Sequence, residues 1–198
     1  NARAVSSRAG GVPGLQAEGE YAHQWNTNFP MSANAWYVQL GYVSERRAWK
    51  PNLSYRFGFF QGDDAATPTY ERFDAPQSSG SDNWLQGNIL RKTVVNSNVL
   101  SHRVRLGLSP APGMNLVLSW FHLRADERNN RGGAKPLQEL QGDTFGDEVD
   151  VTFSWGINRH LFLLGFAGIA IPGDAIDRAL AGDAKHWRSF QLSLFWNL

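Results

Sequence analysis

The segment KHWRSFQLSLFWNL, residues 185–198, decides how the rest of the chain is read. From Ser189 onward it alternates: Phe190, Leu192, Leu194, Trp196 and Leu198 on one face, Ser189, Gln191, Ser193 and Asn197 on the other, with Phe195 the apolar exception. A period of two is the signature of a β-strand, because successive side chains leave the backbone on opposite sides. An apolar, aromatic-ended face backed by small polar groups fits a strand with lipid on one side and a wet lumen on the other.

The same pattern recurs. Residues 15–25 place Leu15, Ala17, Gly19, Tyr21 and Trp25 against Gln16, Glu18, Glu20 and Gln24. Residues 35–43 place Trp36, Val38, Leu40 and Tyr42 against Gln39 and Gly41, and residues 52–61 place Leu53, Tyr55, Phe57 and Phe59 against Ser54, Arg56 and Gly58. Residues 84–108 read as one long extended stretch, regular in its second half, where Leu100, Val104, Leu106 and Leu108 oppose Ser101, Arg103, Arg105 and Gly107. Further strands are predicted over 114–125, 145–155 and 160–171, and residues 186–197 close the set. Residues 1–14, with GGVPG at 10–14, read as a lead-in loop, leaving 15–198 as the structured unit.

Connections sort the strands. Short ones follow the second, fourth and sixth predicted strands, and long ones (26–34, 62–83, 126–144, 172–184) follow the others. Outer-membrane barrels put short turns on the periplasmic side and long loops outside. The reading is an all-β, antiparallel up-and-down transmembrane β-barrel with eight strands present. Tryptophans mark two belts: Trp25, Trp36, Trp84 and Trp187 at the long-loop ends, and Trp49, Trp155 and Trp196 at the short-turn ends, with Trp120 nearer mid-strand.

Composition agrees. Of 198 residues 42% are hydrophobic, yet no run approaches the roughly 20 apolar residues of a membrane helix. A net charge of +1 gives no field for nucleic acid, and the absence of cysteine excludes disulfides and thiolate metal sites. No signal-peptide pattern opens the chain, so Asn1 is read as a mature terminus or an internal cut.

Gly41-Tyr42-Val43, Trp49-Lys50-Pro51-Asn52-Leu53-Ser54-Tyr55-Arg56, Gln61-Gly62-Asp63-Asp64 and Tyr70-Glu71-Arg72-Phe73-Asp74 resemble the alginate-export family of outer-membrane porins. So do Asn96-Ser97-Asn98-Val99-Leu100, Gly146-Asp147-Glu148-Val149-Asp150 and Ile171-Pro172-Gly173-Asp174-Ala175. The resemblance covers roughly residues 15–198. It implies a passive channel in the bacterial outer membrane for hydrophilic, anionic solutes or a polysaccharide such as alginate, with membrane lipid around it and export partners in the periplasm. It also implies an eighteen-stranded barrel, of which these strands match the C-terminal part. Small inward residues such as Gly41, Ser54, Gly58, Ser154, Ser189 and Ser193 favour a wide barrel over a sealed one, which wants its interior filled.

Parity directs Arg56, Arg103, Arg105, Glu18, Glu20, Glu148 and Asp150 toward the lumen. Arginine meets carboxylate oxygens at two points, so an arginine ladder suits an anionic sugar chain. The bland reading is that these charges neutralise one another inside a small closed barrel, which would then act in surface recognition or anchoring through its long loops. A soluble lipocalin-like carrier is disfavoured, because the apolar faces lack a polar outside. Asp63 and Asp64, with Glu71 and Asp74, are weak candidates for a calcium loop; their spacing fits no defined one. No cofactor is expected. No enzyme is expected either: His23, His102, His122, His160 and His186 show no metal-ligand spacing, and Ser101 and His102 point to opposite faces.

Overall fold

In the computed structural model the described residues are 2–6, 12–75, 86–133 and 135–196. They form one nine-stranded sheet in which every strand pairs antiparallel with its neighbours in sequence. The strands are β1 (Ala2–Ser6), β2 (Leu15–Asn26), β3 (Met31–Val43), β4 (Asn52–Phe60), β5 (Val99–Leu108), β6 (Met114–Arg124), β7 (Thr144–Gly156), β8 (Leu161–Pro172) and β9 (Trp187–Trp196). Among the described residues no helix is long and apolar enough to cross a membrane. One short helix, α1 (Asp174–Ala179), lies between β8 and β9.

The alternation read from the sequence is the alternation of the sheet. Leu40, Leu53, Val104, Leu118 and Val151 lie bare on one face. On β9 this is extreme, with Phe190 76%, Leu192 61% and Leu194 62% exposed. A bare apolar surface running from β2 to β9 far exceeds what a water-soluble chain leaves uncovered, and is what a lipid-facing wall requires.

Four expectations are corrected. Residues 84–108 are not one strand: β5 begins only at Val99, and residues 86–98 turn back over the sheet through a 3-10 turn at Leu90–Lys92. Gly87 and Asn98 have positive φ, so the chain leaves extended geometry at both ends of that segment. Ile89, Leu90 and Val94 do not alternate; all three are buried. Next, the predicted loop 26–34 shrinks to residues 27–30, because Met31, Ala33 and Ala35 carry β3 outward on the covered face. That connection is as short as those on the opposite end, so loop length alone does not sort the two ends. Third, the lead-in contains β1, paired with β2 from Ala2↔Tyr21 to Ser6↔Ala17. Residues 15–25 therefore take β1 and β3 as neighbours rather than residues 186–197, and among the described residues β9 pairs with β8 alone. Last, the tryptophan belts need revision. Trp187 packs against the core on the covered face, Trp36 is the sixth residue of β3 rather than its end, and Trp84 lies outside the described residues.

The core sits at the long-loop end. Ala22, Ala35, Phe60, Val99, Phe121, Leu123 and Ala170 from six different strands bury together with Phe73, Leu90, Leu137, Leu140, Ala175 and Ile176 from the loops and α1. Residues 61–75, 86–98, 125–133 and 135–143 thus fold back onto the covered face rather than standing away from it.

Candidate functional site

The register puts the predicted site residues into adjacent rows of the covered face. One row runs Glu18↔Gln39↔Arg56↔Arg103 across β2 to β5, then through Phe121 to Glu148 on β7. The next holds Ser54↔Arg105↔Ser119↔Asp150, and the row on the other side opens with Glu20↔Tyr37↔Gly58. All seven residues therefore share one face. The charges are segregated by strand: the arginines on β4 and β5, the carboxylates on β2 and β7.

Arg56 and Arg103 stand directly opposite each other on adjacent strands, 1% and 7% exposed. The Arg56 guanidinium lies 5.7 Å from the centroid of the Tyr37 ring, within range of a cation–π contact. Tyr37 in turn donates its hydroxyl to Glu18 Oε1 at 2.6 Å. Arg103 donates through Nη2 to Gln39 Oε1 at 2.6 Å. Two buried cations side by side are costly without polar support, and Tyr37 and Gln39 supply some of it. Both alternate along β3 with Trp36 and Val38, which take the other face, so the parity that locates the arginines also locates them.

The carboxylates on β7 have a different employment. Glu148, 0% exposed, accepts the backbone N–H of Asn88 and Ile89 at Oε1 (2.5 and 2.8 Å) and that of Leu90 at Oε2 (2.6 Å). Asp150, 2% exposed, accepts from the Asn88 side-chain amide at 2.7 Å. Nothing in the sequence pattern points to these partners, because an extended reading of 86–98 puts no turn beside β7.

Above the rows the loops lock together. Buried Arg72 donates through Nε to Ser97 Oγ at 2.5 Å and through Nη1 to the Arg131 carbonyl. The Asn98 side chain exchanges hydrogen bonds with the Glu127 backbone, 2.8 Å to its carbonyl and 2.7 Å from its N–H. Asp63 is a loop staple: it accepts the Glu71 N–H at 3.1 Å and lies 3.6 Å from Arg131 Nη1. Asp64 accepts the Ala66 N–H at 2.8 Å, closing its own turn. Among the described residues no group of three or more His, Asp or Glu is arranged to hold a metal.

Asp126 ties the loops in a pH-dependent way. It accepts the Gly62 N–H at 2.9 Å, yet burial, and after it the charge of Glu71, pushes its carboxyl above the usual range against the pull of that hydrogen bond. A carboxyl raised in the fold adds stability that is complete below its ordinary pKa and is lost as pH rises through its raised one. Asp126→Asn keeps an acceptor and removes the charge. It is therefore expected to slow proteolysis of residues 61–75 severalfold at about pH 7 and to make little difference near about pH 3. Equal cleavage of both proteins at the higher pH would contradict this.

The profile of the alginate export family matches residues 3–189, nearly the whole chain. The chain belongs to the alginate export family. Comparison with curated individual proteins gives no match. Membership places the all-β sheet in the setting of outer-membrane transport, and the bare apolar face is the surface that setting demands.

Proposed function

We propose that the chain builds part of the wall of a wide outer-membrane channel, up to the eighteen strands that its resemblance to the family implies, through which anionic hydrophilic solutes pass passively. Alginate-like polyuronates are the substrate class. One observation carries the reading: Arg56, Arg103 and Arg105 adjoin on β4 and β5 on the covered face, opposite in direction to the lipid-facing side chains. An arginine cluster on the inner wall stabilises each carboxylate of a passing chain in turn, without the deep single site that would trap it. The linear strand order supports a wall that continues beyond β1 and β9, because exposed strand edges in lipid leave backbone groups unsatisfied. Of the carboxylates, Glu148 and Asp150 stand on β7, across β6 from the arginines, and are engaged by residues 88–90, while Glu18 reaches the Arg56 side through the Tyr37 hydroxyl. No chemistry is performed on the solute; lipid surrounds the wall, and periplasmic export partners meet its short-turn end.

Replacing Arg56, Arg103 and Arg105 together by serine is expected to move the reversal potential under a salt gradient toward cation preference by several-fold in permeability ratio. The measurement is made in planar bilayers. An unchanged reversal potential would leave the arginines a structural role only.

A further inference from the structure

Residues 86–92 form a segment that the channel reading does not by itself explain. They descend along the inner face as far as Asp150, the seventh of the thirteen residues of β7, which is the middle of the wall. Loop residues that merely cap a rim have no reason to reach that depth. What meets them is a built receptor. Both oxygens of Glu148 are filled by three consecutive backbone N–H groups, those of Asn88, Ile89 and Leu90. Asn88 adds its side-chain amide to Asp150. These are the amides that open the 3-10 turn at Leu90–Lys92, which no intrahelical carbonyl can satisfy, and the two oxygens of the Glu148 carboxyl supply their acceptors.

The surroundings are shaped for the contact from both sides. On the segment, Gly87 has φ +81°, and a Cβ there would lie 2.6 Å from the Glu148 carboxyl carbon and from both its oxygens. On the wall, Gly168 of β8 leaves room for Asp150 and for the Ile89 side chain, both of which a Cβ would strike or crowd. In the same turn Arg91 and Lys92 are exposed, two cations beside the anchored stretch.

We propose that Glu148 is a latch that holds residues 86–92 against mid-wall as the constriction of the channel, with Arg91 and Lys92 at its edge setting the width and charge of the path. This rests on the inner-face reading above. The latch is not the arginine cluster: it lies across Phe121 from Arg103 and acts by position rather than by contact with the solute.

Three measurements on the reconstituted protein test it. In the wild type, hydrogen exchange at the amides of Asn88, Ile89 and Leu90 should be slowed about a hundredfold relative to an open loop, since each opening must break the carboxylate contacts. Glu148→Gln preserves size but turns an amide N–H₂ toward backbone donors. Gly87→Ala attacks the same contact from the segment, leaving the wall untouched. Both variants should lose that protection and raise single-channel conductance by about twofold, while admitting larger neutral polymers. Fast exchange of the three amides in the wild type would overturn the latch, whatever becomes of the variants. Conductance and polymer exclusion unchanged in a folded variant would mean that Ile89, Leu90 and Val94 hold the segment by burial alone. A wild type with protected amides but no conductance would sink the channel reading and reduce the contact to a structural anchor.

Discussion

Leu118→Arg is expected to destabilise the membrane-inserted sheet by about 2–4 kcal/mol, the cost of an arginine at the mid-plane on the lipid side of a barrel. Leu118 is the fifth of the eleven residues of β6, far from either end, and its side chain is bare. Its cross-strand neighbours are Leu106 and Val151, so the charge would enter a wholly apolar stretch with no partner to meet it. The same face shows how depth matters. Arg124, six residues further along β6, is native on that face, but it stands at the rim and donates to Asp143 at 2.7 Å. Midway, His122 and Trp120 both reach Asp147 at 3.1 Å, a polar cluster where headgroups rather than acyl chains would lie. Denaturant unfolding from phospholipid vesicles measures the loss, with Leu118→Ala as the control for lost contact area. An arginine variant no less stable than the alanine one would mean that this face does not meet lipid.

The strands were legible because their faces are chemically opposite. On β9 (Phe195 apart), β4 and the second half of β5 the polarity of each residue assigns its side, and the same parity on β2 and β7 puts Arg56, Arg103, Arg105, Glu18, Glu20, Glu148 and Asp150 on one face, as the register does. Tyr37 and Gln39 were within reach of the same argument. Residues 86–98 depart from the pattern for a physical reason. Ile89, Leu90 and Val94 are apolar because they are buried under loops, and burial carries no period when the backbone turns within a few residues. Residues 31–34 failed because Ser32, Asn34 and Pro30 look like loop, although Ala33 is fully buried and Asn34 is held by Gln61 through both its backbone and side-chain N–H groups, each at 2.9 Å. Trp187 was misread because a belt residue and a core residue are the same letter at the end of a strand; only the register, which pairs it with buried Ala170, tells them apart. The latch was illegible in principle. A carboxylate that binds peptide N–H groups leaves no mark on the side chains of its partners, apart from the glycine that makes room for it.

Phe60→Ala is expected to cost about 3–5 kcal/mol, the range for removing a buried phenylalanine without collapse of the space it leaves. Phe60 ends β4, is 1% exposed, and pairs across to Ala35 on one side and Val99 on the other. Those neighbours are small or β-branched and fixed in a sheet, so they cannot move in to fill the void. Its ring lies 6.3 Å from that of Phe73, which fastens residues 61–75 to the wall just above the arginines. Phe73 N–H and Asn98 N–H both donate to the Gln61 carbonyl, at 3.0 and 3.3 Å, so one carbonyl beside Phe60 anchors two loops, and Tyr70 bridges backbone to backbone with Pro30 and Ser32 further out. Loss of the ring should therefore release residues 61–75 and 86–98 before the strands separate, read as protease cleavage preceding loss of the β-sheet signal on heating. This also separates the two substitutions. The cost of Leu118→Arg depends on the bilayer and should shrink in detergent, where the charge can reach water. The cost of Phe60→Ala belongs to the covered face and should persist in both. A Phe60→Ala protein whose loops resist protease like the wild type would show that hydrogen bonds such as those of Arg72 and Asn98, rather than apolar burial, close the long-loop end.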